Sequence, residues 1–389
     1  MPIPYYYKSI DFEKLVRDYP PPEEFAQGLY LWGRKELDEL QNRRFLEIVE
    51  HGWENSFYRR KWEGHGARKG DIKTRDDITK LPMVFVEDFK EGIRAEPPFG
   101  EHQALHTRDA ARIPIKIQSS GGTTGVPRPT LFTPWEWEMQ GIQGARVLYI
   151  LGARPGDVMQ IPSTLSTSNL GWFFYLACMH WLSVVPVTTG SGNVTPSRRQ
   201  LEVAFQWGTN LWAGFPEYLM HLASVAGQEG FDLAGLRTKF ISTFLGPDLD
   251  GGLRKTMETA WSCPVYDNYG THETGEAAFE CREKSGLHVM EDMFILEVAD
   301  VDTDQIVPTG EKGNVVITSF YRHHPPLIRY NLRDCVRLIT HGHERCGCGS
   351  YFRKIDNFLG RSDDMVKLRG TNVFPMACVG AVTGDDRTT

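Results

Sequence analysis

Leu37, Leu40, Phe45, Val49, Trp53 and Phe57 recur every three to five positions. That spacing puts the apolar side chains on one face of a long helix packed against a larger body. Residues 1 to about 112 are otherwise charged and mostly helical in pattern, broken by Pro82 and by Pro97-Pro98. From about 113 the period changes. Stretches 113–117, 158–161, 184–187, 210–214, 239–245 and 264–269 are short β-branched or aromatic runs and read as strands. Between them, 135–148, 170–182 and 252–261 read as helices, and Pro216 opens another at the first-turn position that proline favours. Strand–helix alternation predicts crossover units around a largely parallel sheet, an α/β fold. From about 286 the pattern turns to strands and tight turns, with 294–298, 300–304 and 315–320 forming a meander or small barrel. Ligands of parallel sheets bind beyond the carboxyl ends of the strands, so the loops there are where chemistry is expected.

Composition narrows the class. The chain has 389 residues, 41% hydrophobic and 24% charged, with a formal net charge of -7. These are values of an ordinary globular protein, and the negative balance argues against a general nucleic-acid binder. No run of roughly eighteen apolar residues marks a membrane span. Met1-Pro2-Ile3-Pro4-Tyr5-Tyr6-Tyr7 has neither the basic region nor the apolar core of a signal peptide. Seven cysteines, an odd number in a long chain, fit a reducing cytoplasm.

Candidate chemistry starts at Ser119-Ser120-Gly121-Gly122-Thr123-Thr124-Gly125-Val126-Pro127-Arg128. A loop rich in glycine and hydroxyls suits phosphate, because backbone N–H groups approach an anion closely. It is neither a Walker loop nor a dinucleotide fingerprint, and a flexible linker remains an alternative reading.

Four further stretches carry reactive side chains. In Tyr269-Gly270-Thr271-His272-Glu273-Thr274-Gly275, the Glu273 carboxylate beside hydroxyl and imidazole groups suits Mg²⁺; the same residues also read as a turn with a helix N-cap. In Tyr330-Asn331-Leu332-Arg333-Asp334, Asp334 suits ribose hydroxyls, or a surface ion pair with Arg333 or Arg337. Gly360-Arg361-Ser362-Asp363-Asp364 is a charged turn that makes a hinge or a plain loop. Cys281 with His288, then Cys346-Gly347-Cys348, offers three sulfurs and an imidazole for a closed tetrahedral Zn²⁺ site; free cysteines near a histidine are the alternative. Cys263 and Cys335 read as core, and His323 and His324 as spare ligands.

Taken in order, these motifs resemble the acyl-adenylate-forming superfamily, and most nearly phenylacetate–coenzyme A ligases and related aryl-CoA ligases, over about residues 35 to 376. The stretches Gly286-Leu287-His288-Val289-Met290-Glu291-Asp292 and Arg369-Gly370-Thr371-Asn372-Val373-Phe374-Pro375 look like that group as well. The resemblance implies the large N-terminal domain of an adenylate-forming enzyme: two mixed or parallel sheets with helices, plus a small distorted barrel. Residues 1–112 would be its helical N-terminal part, 113–360 its core with the β-rich distal portion, and 361–389 the hinge with the start of a C-terminal domain. It further implies ATP, Mg²⁺ and coenzyme A as partners of an aromatic carboxylic acid. Ser120, Gly121, Gly122, Thr123, Thr124 and Gly125 would cradle the phosphates. Gly246, Pro247, Asp267, Asn268, Tyr269 and Gly270 would face AMP, with Asp334 on the ribose and Arg361 on ribose or phosphate. Glu273 would hold Mg²⁺, with Thr271 and His272 beside it as catalytic groups, and Asp363 would be the hinge.

Trp172, Phe173, Trp212 and Phe215 are candidate walls of an aryl pocket, although aromatics at such positions also read as core. His272 stands where the family has Ser or Thr, and Val126 where many members have lysine, a charge that Arg128 could supply. Past Asp363 only 364–389 follow, with Lys367 in the hinge motif. The family's small C-terminal domain, with its adenylation lysine, is therefore expected to be largely missing and adenylation by this chain weak. Alternatives are acyl transfer to an amine or carrier protein, a non-catalytic nucleotide binder, and a zinc hydrolase. Four protein ligands would leave that zinc no open position, which favours a structural role. Assembly as a homodimer is left open.

Overall fold

The computed structural model describes residues 3–119, 128–248 and 250–364, and the main chain alone of 366–368 and 371–373. The loop residues Ser120 to Gly125 lie outside the described residues.

The apolar stripe near the N-terminus belongs to two helices rather than one. The first, Arg34–Glu54, buries Leu37, Leu40, Phe45, Ile48, Val49 and Trp53. It stops at Asn55, whose side-chain oxygen accepts from the backbone N–H of Phe57 at 3.0 Å and Tyr58 at 3.3 Å. That N-cap starts the second helix, Ser56–Gly64. Phe57 therefore sits past a break that apolar spacing alone does not reveal.

The middle of the chain alternates as its pattern predicts. A hairpin of β1 (Lys116–Ser119) and β2 (Pro129–Phe132) precedes the helix Pro134–Leu151. Then come β3 (Val158–Gln160), β4 (Val185–Val187), β5 (Leu211–Gly214), β6 (Phe240–Thr243) and β7 (Val265–Thr271). These five pair in parallel. β8 (Gly275–Glu280), β9 (Leu287–Val289) and β13 (Lys354–Ile355) extend the sheet antiparallel, giving the order β13-β9-β8-β7-β6-β5-β3-β4. A second sheet, antiparallel throughout, joins β10 (Phe294–Ala299), β11 (Lys312–Ser319), β12 (Tyr330–Arg337) and β14 (Gly360–Arg361).

Side chains of the parallel strands alternate between two cores, as a sheet covered on both faces requires. Leu211, Ala213 and Phe240 join Met139, Ile142 and Phe173 in the larger core. Trp212 and Ile241 point the other way, into a core with Leu219, Leu222, Met257 and Trp261. The larger core also encloses charge. Arg146 and Asp292 are both fully buried and pair at 2.7 Å, and Arg146 also donates to the carbonyl of Pro20. Burial of this kind is tolerated only when both ions are hydrogen-bonded.

Two local expectations change. Residues 300–304 form a turn, because the Asp300 carboxylate accepts from the backbone N–H of Asp302 and Thr303. Asp334 lies inside β12 rather than at a strand or turn end. Among the described residues no helix is long and apolar enough to cross a membrane.

Candidate active site

The carboxyl ends of β6 and β7 face the start of β8 and the middle of β12. β6 leads into Phe244-Leu245-Gly246-Pro247, and this loop is tied to β7 by two side chains. The Asp267 carboxylate accepts from the backbone N–H of Leu245 at 2.8 Å, and the Asn268 amide donates to the Thr243 carbonyl at 2.9 Å. Burial pushes the Asp267 carboxyl up to about 7. Both residues thus hold the loop carrying Gly246 and Pro247.

Tyr269 is buried, and its ring stacks on Phe358 at 6.3 Å. Its hydroxyl donates to Asp334 at 2.9 Å. The other oxygen of Asp334 accepts from Arg361 at 3.2 Å, and Arg361 also forks onto Asp363 at 2.9 Å. Asp334 is only 7% exposed. Its partner is Arg361, not Arg333 or Arg337, and it is no surface pair. Burial raises its pKa to about 6 against the pull of Arg361.

The turn from β7 to β8 is tight. Gly270 admits no side chain: a Cβ there would lie 2.0 Å from the Gly275 carbonyl oxygen. Thr271 and Thr274 close the turn through their hydroxyls, 3.1 Å apart. Glu273 at its tip is buried and pairs with Arg128, whose guanidinium also donates to the Tyr330 hydroxyl at 3.1 Å. Burial opposes a charge on Glu273, but Arg128 and then His272 overcome it and hold the carboxyl below its ordinary range. Burial lowers the pKa of His272, and its Nε2 has no hydrogen-bond partner among the described residues.

Beside this turn opens a cavity of about 240 Å³, with Phe173, Phe215 and Phe244 among its walls together with Thr271 and His272. The other two expected wall residues lie elsewhere. Trp212 is fully buried on the opposite face of the sheet, 4.7 Å from the ring of Trp261. Trp172 packs against Trp137 and under the Lys116 ammonium, with its indole N–H on the Ser166 carbonyl. Strand and helix periodicity turns both away. Sequence reasoning missed Glu276, a wall residue of the same cavity. The available signal was one carboxylate opening the otherwise apolar run Glu276-Ala277-Ala278-Phe279.

The cysteine and histidine side chains also converge. Ligand atoms of Cys281, His288, Cys346 and Cys348 all lie within 4.8 Å of one another. Cys348 Sγ is 3.5 Å from His288 Nε2, and Cys281 Sγ is 3.9 Å from Cys346 Sγ. His288 Nδ1 contacts the Phe352 carbonyl at 3.3 Å, leaving Nε2 for the sulfurs. An imidazole oriented through its other nitrogen is usual for a metal ligand. The donor set fits a soft tetrahedral cation. His323 and His324 are not part of it: Glu136 accepts from both of their backbone N–H groups, and the His323 ring stacks on Trp135.

No family model matches the chain. It is 28% identical over 348 residues to the phenylacetate–coenzyme A ligase of Pseudomonas putida, covering 87% of this chain and 74% of that one. It is 29% identical over 351 residues to the same-named protein of Escherichia coli strain K12, with the same two coverages. Among solved structures, a 2-hydroxyisobutyryl-CoA ligase in complex with its acyl-AMP superposes with a TM-score of 0.83 at 24% identity, over 92% of this chain and 74% of that one. The fold is thus that of an adenylate-forming enzyme. Its similarity over most of its length is to AMP-forming acid–thiol ligases, the phenylacetate–coenzyme A ligases among them.

Proposed function

We propose that this protein activates an aromatic carboxylic acid with ATP and transfers the acyl group to coenzyme A. In the first step a carboxylate oxygen attacks the α-phosphorus, the bond to the β-phosphate bridge breaks, and pyrophosphate leaves. In the second the thiolate sulfur attacks the acyl carbon and AMP leaves. Both steps need alignment and screening of negative charge more than covalent help from the protein.

The observation that carries this reading is the grouping of Tyr269–Asp334–Arg361 with Glu273–Arg128 beside an aromatic-walled cavity at the carboxyl ends of the strands. Asp334 would accept from the ribose hydroxyls, and Tyr269 with the Gly246-Pro247 loop would bound the adenine. Glu273 would hold Mg²⁺, which would screen the negative charge of the phosphates. Arg128 would then turn toward the phosphates, for which Ser120 to Gly125 remain the proposed cradle. Phe173, Phe215 and Phe244 favour a flat ring over a long chain. Cys281, His288, Cys346 and Cys348 would hold a structural Zn²⁺, remote in role from the reaction.

The test follows AMP and thioester by chromatography with benzoate or phenylacetate, ATP, Mg²⁺ and, in turn, coenzyme A, an amine or a carrier-protein thiol. Acid-dependent AMP with coenzyme A as the best acceptor supports the proposal. AMP release indifferent to every aryl acid would overturn it, and a preference for another acceptor would move the chain to the sister activity.

A further inference from the structure

The acyl cavity has one wall that its aromatic rings do not explain. Glu276 is the second residue of β8, 2% exposed, and lines the cavity. Its Oε1 has no hydrogen-bond partner among the described residues. Asn169 and His272 line the same cavity, and Asn169 Oδ1 and His272 Nε2 likewise have no partner among the described residues. Buried polar atoms are nearly always paired, so three orphans among the residues lining one cavity call for a ligand. Packing gives no reason for a carboxyl here: the next residues, Ala277, Ala278 and Phe279, are apolar and fully buried. Burial, reinforced by the Asp267 carboxylate, pushes the Glu276 carboxyl far above its ordinary range. A neutral carboxyl in such a place awaits a partner that donates to it.

We propose that Glu276 is a specificity determinant, and that the acid taken here is a compact one bearing an amine or hydroxyl that donates to the Glu276 carboxyl. This rests on the cavity being the acyl subsite of an adenylate-forming site. The volume, about 240 Å³, admits one ring with a small substituent. Asn169 and His272 supply the remaining polar contacts around that substituent. A site built to bond a polar group rejects the analogue that lacks it, because its own buried groups are then left unpaired.

The test uses acyl-sulfamoyl adenosines, unreactive mimics of the acyl-adenylate, so that it reads binding and not turnover. Benzoyl is compared with its ortho-, meta- and para-amino and -hydroxy derivatives by calorimetry. At least one substituted analogue should bind about tenfold more tightly than benzoyl, the value of one well-placed buried hydrogen bond. Glu276→Leu should erase that preference while benzoyl binding persists, which also shows that the variant is folded. Glu276→Gln, close in shape and still an acceptor through its amide oxygen, should retain part of the preference and spare benzoyl. Equal binding of benzoyl and all its derivatives, or a preference surviving in Glu276→Leu, would overturn the assignment. If no analogue binds the wild-type chain, the adenylate reading itself falls.

Discussion

The Tyr269 hydroxyl donates to Asp334 at 2.9 Å and so joins β7 of the eight-stranded sheet to β12 of the four-stranded one. The contact fixes the one buried carboxylate in the site that also reaches Arg361. It makes Asp334 both a structural link and a titrating group.

Its titration has a definite sign. Burial raises the Asp334 pKa from 3.8 to about 6. A carboxyl raised on folding contributes stability that is complete below its unfolded pKa and is lost as pH rises through the folded one. Relative to Asp334→Asn, wild-type stability should therefore decline between about pH 4 and pH 6. Asp267, raised to about 7, titrates nearby, so the difference between the two proteins is the quantity to measure. Nucleotide binding should run the opposite way, because ribose hydroxyls donate to the ionised form. Calorimetry from pH 5 to 7.5 should show AMP affinity rising more steeply with pH in the wild type than in Asp334→Asn.

Arg128 and Glu273 form a buried pair, with side chains 15% and 7% exposed. Removing one partner strands the other charge, at a cost of about 3–5 kcal/mol. Denaturant unfolding of Glu273→Ala should show a loss of that size, and Arg128→Met with Glu273→Met should recover most of it. In the single variant Glu273→Gln, acid-dependent AMP formation should need more Mg²⁺ for half-maximal rate. An unchanged Mg²⁺ requirement would remove Glu273 from the metal site.

The cysteine cluster should behave as a stabilising metal centre. Protein prepared with zinc should contain one zinc per chain, and Cys348→Ser should lose it. Chelation should lower the melting temperature, since metal bound only by the folded state stabilises it. An unaltered melt after complete zinc removal would contradict the assignment.

Trp212 and Phe215 separate core from cavity. Trp212→Ala empties a fully buried site and should cost about 3–5 kcal/mol with little change in acid preference. Phe215 is 51% exposed and lines the cavity, so Phe215→Ala should leave stability nearly intact and raise KM for aryl acids. Melting curves and steady-state rates on the two variants check this.

Much of the fold was legible because its elements are punctuated. The helix Gly252–Trp261 follows from the glycine pair Gly251-Gly252 at its start and from Pro264 shortly after its end. The cysteine cluster was visible in Cys346-Gly347-Cys348, and pairing of Lys354 with His288 explains how distant residues meet. Local alternation misled at 300–304, where the Asp300 side chain bonds the backbone that a strand would need. Which face an aromatic takes is set by tertiary packing, and that is why Trp172 and Trp212 were misplaced. Glu276 was passed over because only the surrounding walls reveal that its carboxyl lacks a partner.

As proposed, Tyr269, Asp334 and Glu273 frame an acyl-adenylate site. Calorimetric titration with benzoyl-sulfamoyl adenosine tests it most directly. One molecule should bind per chain, with affinity weakened about tenfold or more in Asp334→Ala through loss of the ribose hydrogen bonds. Absence of binding, or equal affinity in wild type and Asp334→Ala, would contradict it.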